Sequence, residues 1–323
     1  MKNDRTRKFY AVEKKIYISL GVIMYSHSEL NILRTFAFIS IICLMPGAAL
    51  AVDVTQLWDF SNPELSEKRF RLALNTAVDD DALILQTQIA RTYMLRKDFE
   101  QARTVLGAIE SRISEASAEA QVRYWLELGR SYASHQHSAE SQTPESNQMA
   151  RAAFTKALAI AKEAKLDGLA IDAVHMFVFV DKDPLEQLAR GQEALALVEA
   201  SEQPEAKRWK ASVLNNMGEA FFELKRFDEA LTHFKLALAL RQNGGTPKAI
   251  RDAHWQIARV LRVLNQTDEA LVIQLRLESE SEAAGERKGY IFEELQLLYL
   301  AKGNAERARH YETLTKSLAG KAH

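Results

Sequence analysis

The sequence predicts an all-α protein, an α-solenoid of stacked antiparallel helix pairs. Three observations predict it. The stretch Leu214–Arg241 reads as a helical hairpin in which small and bulky apolar residues alternate. Leu214, Met217, Gly218 and Phe221 lie on its first helix; Ala230, Phe234 and Ala237 lie on its second. Glycine (13) and proline (6) are scarce in 323 residues, and no strand-length run alternates apolar with polar side chains. The same order of small and aromatic residues recurs along the chain. Two helices approach closely only where one presents a side chain too small to hold them apart, so Gly218 and Ala230 let the hairpin close while Phe221 and Phe234 fill the space beside them. One such hairpin buries too little surface to stand alone and must stack on copies of itself.

From the N-terminus, Thr35–Leu50 is apolar, follows Arg34 and ends in Ala49-Leu50-Ala51. Residues 1–51 therefore read as a secretory signal cleaved after Ala51, with Met24 as an alternative start that gives a signal of ordinary length. Its apolar core is shorter than the roughly 20 residues of a membrane-spanning helix, so an uncleaved anchor is the lesser alternative. Residues 52–80 form a lead and a capping helix: Asn62-Pro63 fits a helix start, Pro63–Thr76 is the helix, and Trp58 and Phe60 tuck against it. Residues 81–323 form about six helix pairs. The first runs from Asp81 to Ile113, with Ile89, Ala90 and Tyr93 facing Ala102, Leu106 and Ile109. The second sets Trp125, Leu128, Gly129 and Tyr132 against Ala150, Phe154 and Ala157, with an inserted Ser-, Gln- and His-rich loop at 133–149. The third, Leu166–Ser201, has a first helix apolar nearly all round and a second that starts at Asp183-Pro184.

The fourth is the opening hairpin, with Lys225–Glu229 as its turn and Asp228 as the expected cap. Asn243–Pro247 ends it and starts the next. The fifth has Ile257, Ala258, Leu261, Ala270 and Leu277, with Gln274 in place of the expected aromatic. The sixth has Phe292, Leu295, Tyr299, Ala308 and Tyr311, with Gln296 and Thr315 where small residues are expected.

This pattern resembles the tetratricopeptide repeat over about Asp81–Ser317. The small first-helix position recurs at Ala90, Gly129, Gly218, Ala258 and Gln296, at spacings of about 40 residues with one double step, against 34 for the common repeat. The longer period, and the text Leu214-Asn215-Asn216-Met217, resemble the extended repeats of kinesin light chains. The resemblance implies a right-handed superhelix whose concave face, lined by first helices, takes a protein or peptide. It places Arg91, Arg130, Glu219 and Arg259 in that groove, one residue beyond each small position. Thr87, Leu126, Asn215 and Trp255 lie a turn earlier, and Met94, Phe222 and Arg262 a turn later. The peptide-binding set is thus Arg91, Arg130, Asn215, Glu219, Phe222, Trp255, Arg259 and Arg262. Arginine forks suit carboxylates and asparagine suits a peptide backbone. Some members of the family clamp a peptide C-terminus with such groups, and Glu219 departs from that pattern. The opposing reading pairs these arginines with neighbouring acids such as Glu127 or Asp252.

Basic and acidic residues nearly balance, 42 Lys and Arg against 43 Asp and Glu. Beyond residue 51 acids outnumber bases, which argues against nucleic-acid binding. Cys43 is the only cysteine, so neither a disulfide within the chain nor a cysteine metal site is possible. The sequence has no glycine-rich phosphate loop, GxSxG or HExxH. His135 and His137 are the candidate metal ligands, set against a plain polar loop. Asp172 and His175 share a helix face. Trp58, Trp125, Trp209 and Trp255 read as packing residues rather than sugar platforms. The expectation is an exported, periplasmic or secreted scaffold that is not an enzyme, uses no cofactor, binds a protein or peptide, and has no stable membrane insertion after cleavage. A metal-dependent or carbohydrate-active envelope enzyme and a structural subunit of an envelope complex are the alternatives.

Overall fold

The computed structural model describes residues 52–286 and 288–319, and among these every regular element is a helix. The signal segment, its cleavage point after Ala51, Met24 and Cys43 lie outside the described residues. The chain is an α-solenoid of stacked antiparallel helix pairs. The lead carries a short turn of 3-10 helix, Val54–Leu57, followed by the capping helix α1 (Pro63–Leu74). The pairs are α2 (Asp79–Leu95) with α3 (Phe99–Gly107) and its one-turn continuation α4 (Glu110–Ile113), then α5 (Ala118–Arg130) with α6 (Pro144–Glu163). Next come α7 (Asp167–Met176) with α8 (Pro184–Ala200), the short α9 (Pro204–Lys207), and α10 (Lys210–Glu223) with α11 (Phe227–Gln242). The last are α12 (Pro247–Val263) with α13 (Thr267–Ala283) and α14 (Gly289–Ala301) with α15 (Ala305–Ala319).

The hairpins close where the sequence places its small residues. A Cβ on Gly129 would lie 2.3 Å from the Phe154 ring, and one on Gly218 would lie 2.6 Å from the Phe234 ring. In the fifth pair Ala258 faces the second helix and Gln274 replaces the ring; both are fully buried. A methyl group has been added on one side and an aromatic ring lost on the other.

The turns inside the first, fourth and fifth hairpins share one device, a single left-handed residue followed by the N-cap. Lys97, Lys225 and Asn265 have φ of 64°, 60° and 62°. The next residue is Asp98 in the first pair, and its carboxylate caps α3 by accepting from Gln101 N at 3.1 Å. In the fourth pair that place falls to Arg226, not Asp228; α11 begins at Phe227 and has no side-chain cap. Asp228 instead sits in the first turn, where its charge favours the helix N-terminus.

Two other details differ from expectation. α6 begins at Pro144, capped by Thr143, so the last part of the 133–149 stretch is helical. Trp58 packs edge-on against Phe70 as expected, but Phe60 stacks on the outer face of Trp58 and is 60% exposed. The core falls into three clusters along the stack, one around Phe70, Leu85 and Ile89, one around Phe154, Phe177, Phe234 and Leu261, and one around Leu295 and Tyr311. As the sequence suggests, α7 is the most enclosed helix, with Ala170–Val174 all buried.

Candidate functional site

The first helices α2, α5, α7, α10, α12 and α14 form one face of the stack, and the predicted groove residues lie on it. Their charges are joined across neighbouring pairs. Arg91 on α2 donates to Glu127 on α5 at 3.4 Å. Arg130 on α5 pairs with Glu127 on its own helix and with Asp172 on α7, and its Nε reaches Met176 Sδ at 3.2 Å. Arg259 on α12 pairs with Glu219 on α10, which also accepts from Gln256. Arg262 on α12 grips Glu294 on α14 with two bonds, of 2.7 and 3.0 Å. Between α7 and α10 the link is neutral: Asn216 Nδ2 donates to His175 Nδ1 at 2.7 Å.

These pairs set the electrostatics. Burial works against the Arg130 charge, and Asp172 and Glu127 outweigh it, so its pKa rises. Burial likewise opposes the Asp172 carboxylate, and Arg130 and Arg91 hold its pKa below the usual range. Glu219 is pushed up because burial exceeds what Arg259 returns. Burial pulls Arg91 down and Arg130 adds repulsion. Arg91 also lies over the Trp58 and Phe60 rings at 5.8 and 5.6 Å. Breaking a buried pair strands its partner's charge, which costs about 3–5 kcal/mol, so the pairs act first as ties between repeats.

The remaining predicted residues are arranged differently. Phe222 and Trp255 flank the Arg259 guanidinium at 4.0 and 5.1 Å. Trp255 Nε1 donates to Tyr290 O at 3.3 Å. Asn215 accepts from Arg241 at 3.2 Å. Thr87 and Leu126 are buried in the core rather than open to the groove.

Three cavities open on this face. The largest, about 1350 Å³, lies between the lead, α2, α5, α7 and α9; Phe60, Leu166, Leu169 and Trp209 give it apolar walls and Arg123 and Arg208 a charged mouth. It shares Arg91, Asp172 and Trp209 with a neighbour of about 590 Å³ that reaches Met94, His135, His175 and Phe179. The third, about 840 Å³, lies between Asn215, Asp252, Trp255 and Tyr290. Arg123, Leu169, Arg208 and Trp209 carry no repeat signature; their shared face appears only once α7 and α9 are placed beside α2.

His137 stacks on Phe99 with ring centroids 3.8 Å apart, and its two ring nitrogens meet Ser134 Oγ at 3.0 Å and Ser131 O at 3.2 Å. Both metal-binding positions of that imidazole are thus engaged. His135 contacts Gln136 Nε2 and faces the second cavity. Among the described residues no group of three or more His, Cys, Asp or Glu side chains converges as a metal site. None of their helices is long and apolar enough to cross a membrane.

Residues 209–277 match the tetratricopeptide repeat family. No curated protein sequence matches the chain. Solved structures do. The structure described as PilW, a widely conserved type IV pilus biogenesis factor, is 21% identical with a TM-score of 0.53, covering 73% of this chain and 93% of its own. The apo form of RapI is 16% identical with a TM-score of 0.58, covering 73% and 84%. Aspartyl phosphate phosphatase F from Bacillus subtilis is 17% identical with a TM-score of 0.54, covering 82% and 68%. At these identities the likeness is one of fold, a tetratricopeptide-like solenoid.

Proposed function

We propose that this protein is an exported, non-catalytic scaffold that binds a protein or peptide partner along the face formed by its first helices. The observation that carries the reading is the pair of joined cavities over α2, α5 and α7. Together they form an open concavity that sets apolar walls beside a few charged groups, the character of a ligand site. Their walls combine exposed or half-buried apolar residues with guanidinium groups, the composition of a binding surface. The scaffold is well supported there, because α7 buries Ala170–Val174 and the floor is tied by ion pairs. Export rests on the apolar segment Thr35–Leu50 and the Ala49-Leu50-Ala51 junction.

The test is a pull-down from envelope extract with the intact protein and a Phe60→Ala/Leu169→Lys variant. Both positions lie on the cavity wall; Phe60 is exposed and Leu169 is half-buried against the core, so a thermal melt of the variant accompanies the pull-down. Loss of one or more partners by the variant is the expected result. The same partners at the same yield for both proteins would overturn the groove reading. N-terminal sequencing of protein recovered from the periplasmic fraction should begin at Val52; a product that stays in the cytosol would refute export.

A further inference from the structure

The pairing of the first-helix arginines leaves one guanidinium without a carboxylate. Among the arginines that line a described cavity, Arg241 alone has no carboxylate within salt-bridge distance among the described residues. It sits at the end of α11. One of its terminal nitrogens is held by Asn215 Oδ1 at 3.2 Å and by Ala249 O at 3.4 Å. Both acceptors are neutral. They fix the orientation of the group without offsetting its charge, and among the described residues its other nitrogens have no protein partner.

Arg241 forms the wall between two cavities. On one side is the third cavity, with Lys248, Lys288 and Asp252. On the other is a cleft of about 750 Å³ lined by Lys207, Arg208 and Lys210, with no carboxylate in its lining. The far wall of the cleft is bare backbone at Gly244 and Gly245. Gly244 has φ of +147°, and Gly245 N bonds Arg241 O at 2.6 Å, so close that a Cβ on Gly245 would strike that oxygen. The Asn243–Pro247 turn thus keeps side chains out of the cleft and exposes main chain.

We infer that this cleft is a second binding site, beside the first-helix groove and sharing Arg208 with its largest cavity, for a short acidic peptide segment whose carboxylate closes on Arg241. Carboxylates pair with a guanidinium fork in two parallel bonds, and Arg241 has the free edge for it. Burial lowers its pKa, with Asp252 acting weakly in the other direction, so a bound carboxylate would restore the charge balance that the fold leaves open. The surrounding cations are already partnered, but only at the surface. Lys210 pairs with Glu199, Arg208 with Glu205 and Lys248 with Asp252, all substantially exposed. Exposed pairs are worth little and exchange readily for another anion. The cleft itself has no aromatic platform on which bases would stack, which favours a peptide over a nucleic acid.

Fluorescence anisotropy with a labelled, C-terminally amidated oligoglutamate peptide tests the site, with oligoglutamine and oligothymidylate of equal length beside it. Oligoglutamate should bind at low ionic strength and weaken as salt is added. Arg241→Ala should weaken it about tenfold, and Arg241→Lys less, because a point charge replaces the fork. Lys210→Ala/Lys248→Ala, at exposed positions, provides a second arm if Arg241→Ala melts early, and should weaken binding severalfold. Phe60→Ala, which changes no charge and lines the groove cavity but not the cleft, should leave oligoglutamate binding unchanged. No oligoglutamate binding, or equal binding by both cleft variants, would overturn the assignment. Oligothymidylate that binds as tightly through the same residues would make the cleft a nucleic-acid site instead.

Discussion

At the scale of the residue, Gln274 and His175 show opposite ways of burying polarity. Gln274 is completely enclosed, and neither its amide oxygen nor its nitrogen has a partner. A buried polar group without a hydrogen bond costs about 1–3 kcal/mol, so Gln274→Met, similar in length and free of that cost, should stabilise the protein by about 1–2 kcal/mol in urea denaturation. His175, half-buried on a cavity wall, has its Nδ1 satisfied only while neutral, because Asn216 donates to it. Burial holds its pKa at about 4 against an ordinary 6.5. As pH falls below 6.5 the unfolded chain takes up the proton and the folded chain does not. Stability is therefore intact above that pH and is lost between 6.5 and 4, at about 1.4 kcal/mol per pH unit for this one group. Denaturation of wild type and His175→Gln across that window should differ in slope by about one proton; equal slopes would refute the assignment. Gln274 was legible in the sequence as a break in the repeat. The partners of the arginines were not. Arg91 meets Glu127, Arg130 meets Asp172 and Arg259 meets Glu219 across 36, 42 and 40 residues, about one repeat each. Only a stacked structure brings such residues together.

At the scale of the element, the hairpin is decided by contact between a missing side chain and a ring. Alanine is normally worth about 1 kcal/mol more than glycine inside a helix. At Gly218 the added methyl would meet the Phe234 ring at 2.6 Å, and that ring is fully buried and has nowhere to move. Overpacking wins, and Gly218→Ala should destabilise by about 1–2 kcal/mol net. At Gly107 the same substitution meets nothing within 4 Å and should stabilise, by at most about 1 kcal/mol. Thermal melts of the two variants should shift in opposite directions. This much of the fold is legible because small and aromatic residues carry it at fixed spacing. The start of α6 is not, since Pro144 opens a helix inside a stretch whose Ser, Gln and His content reads as loop. Thr143 decides the matter by capping the first turn. The groove walls are equally hidden: α9 is four residues long, and Trp209 faces the cavity only because α9 folds back on α7.

At the scale of the whole molecule, each pair contacts chiefly its neighbours, so protection should follow position along the stack. Hydrogen exchange should be slowest in α5, α7 and α10, which share the largest apolar core, and fastest in α15, whose outer side is exposed. Uniform protection from end to end would mean that the stack opens as a single cooperative unit. The neutral contact between α7 and α10 has a mechanical consequence. On either side of it the first helices are riveted by charge, α2 to α5 to α7 and α10 to α12 to α14. Added salt softens the rivets and leaves the imidazole–amide joint unaffected, whereas acid strong enough to charge His175 also reaches Glu219, whose pKa burial raises. A rod built this way has two stiff arms and one elbow, and ionic strength sets how stiff the arms are.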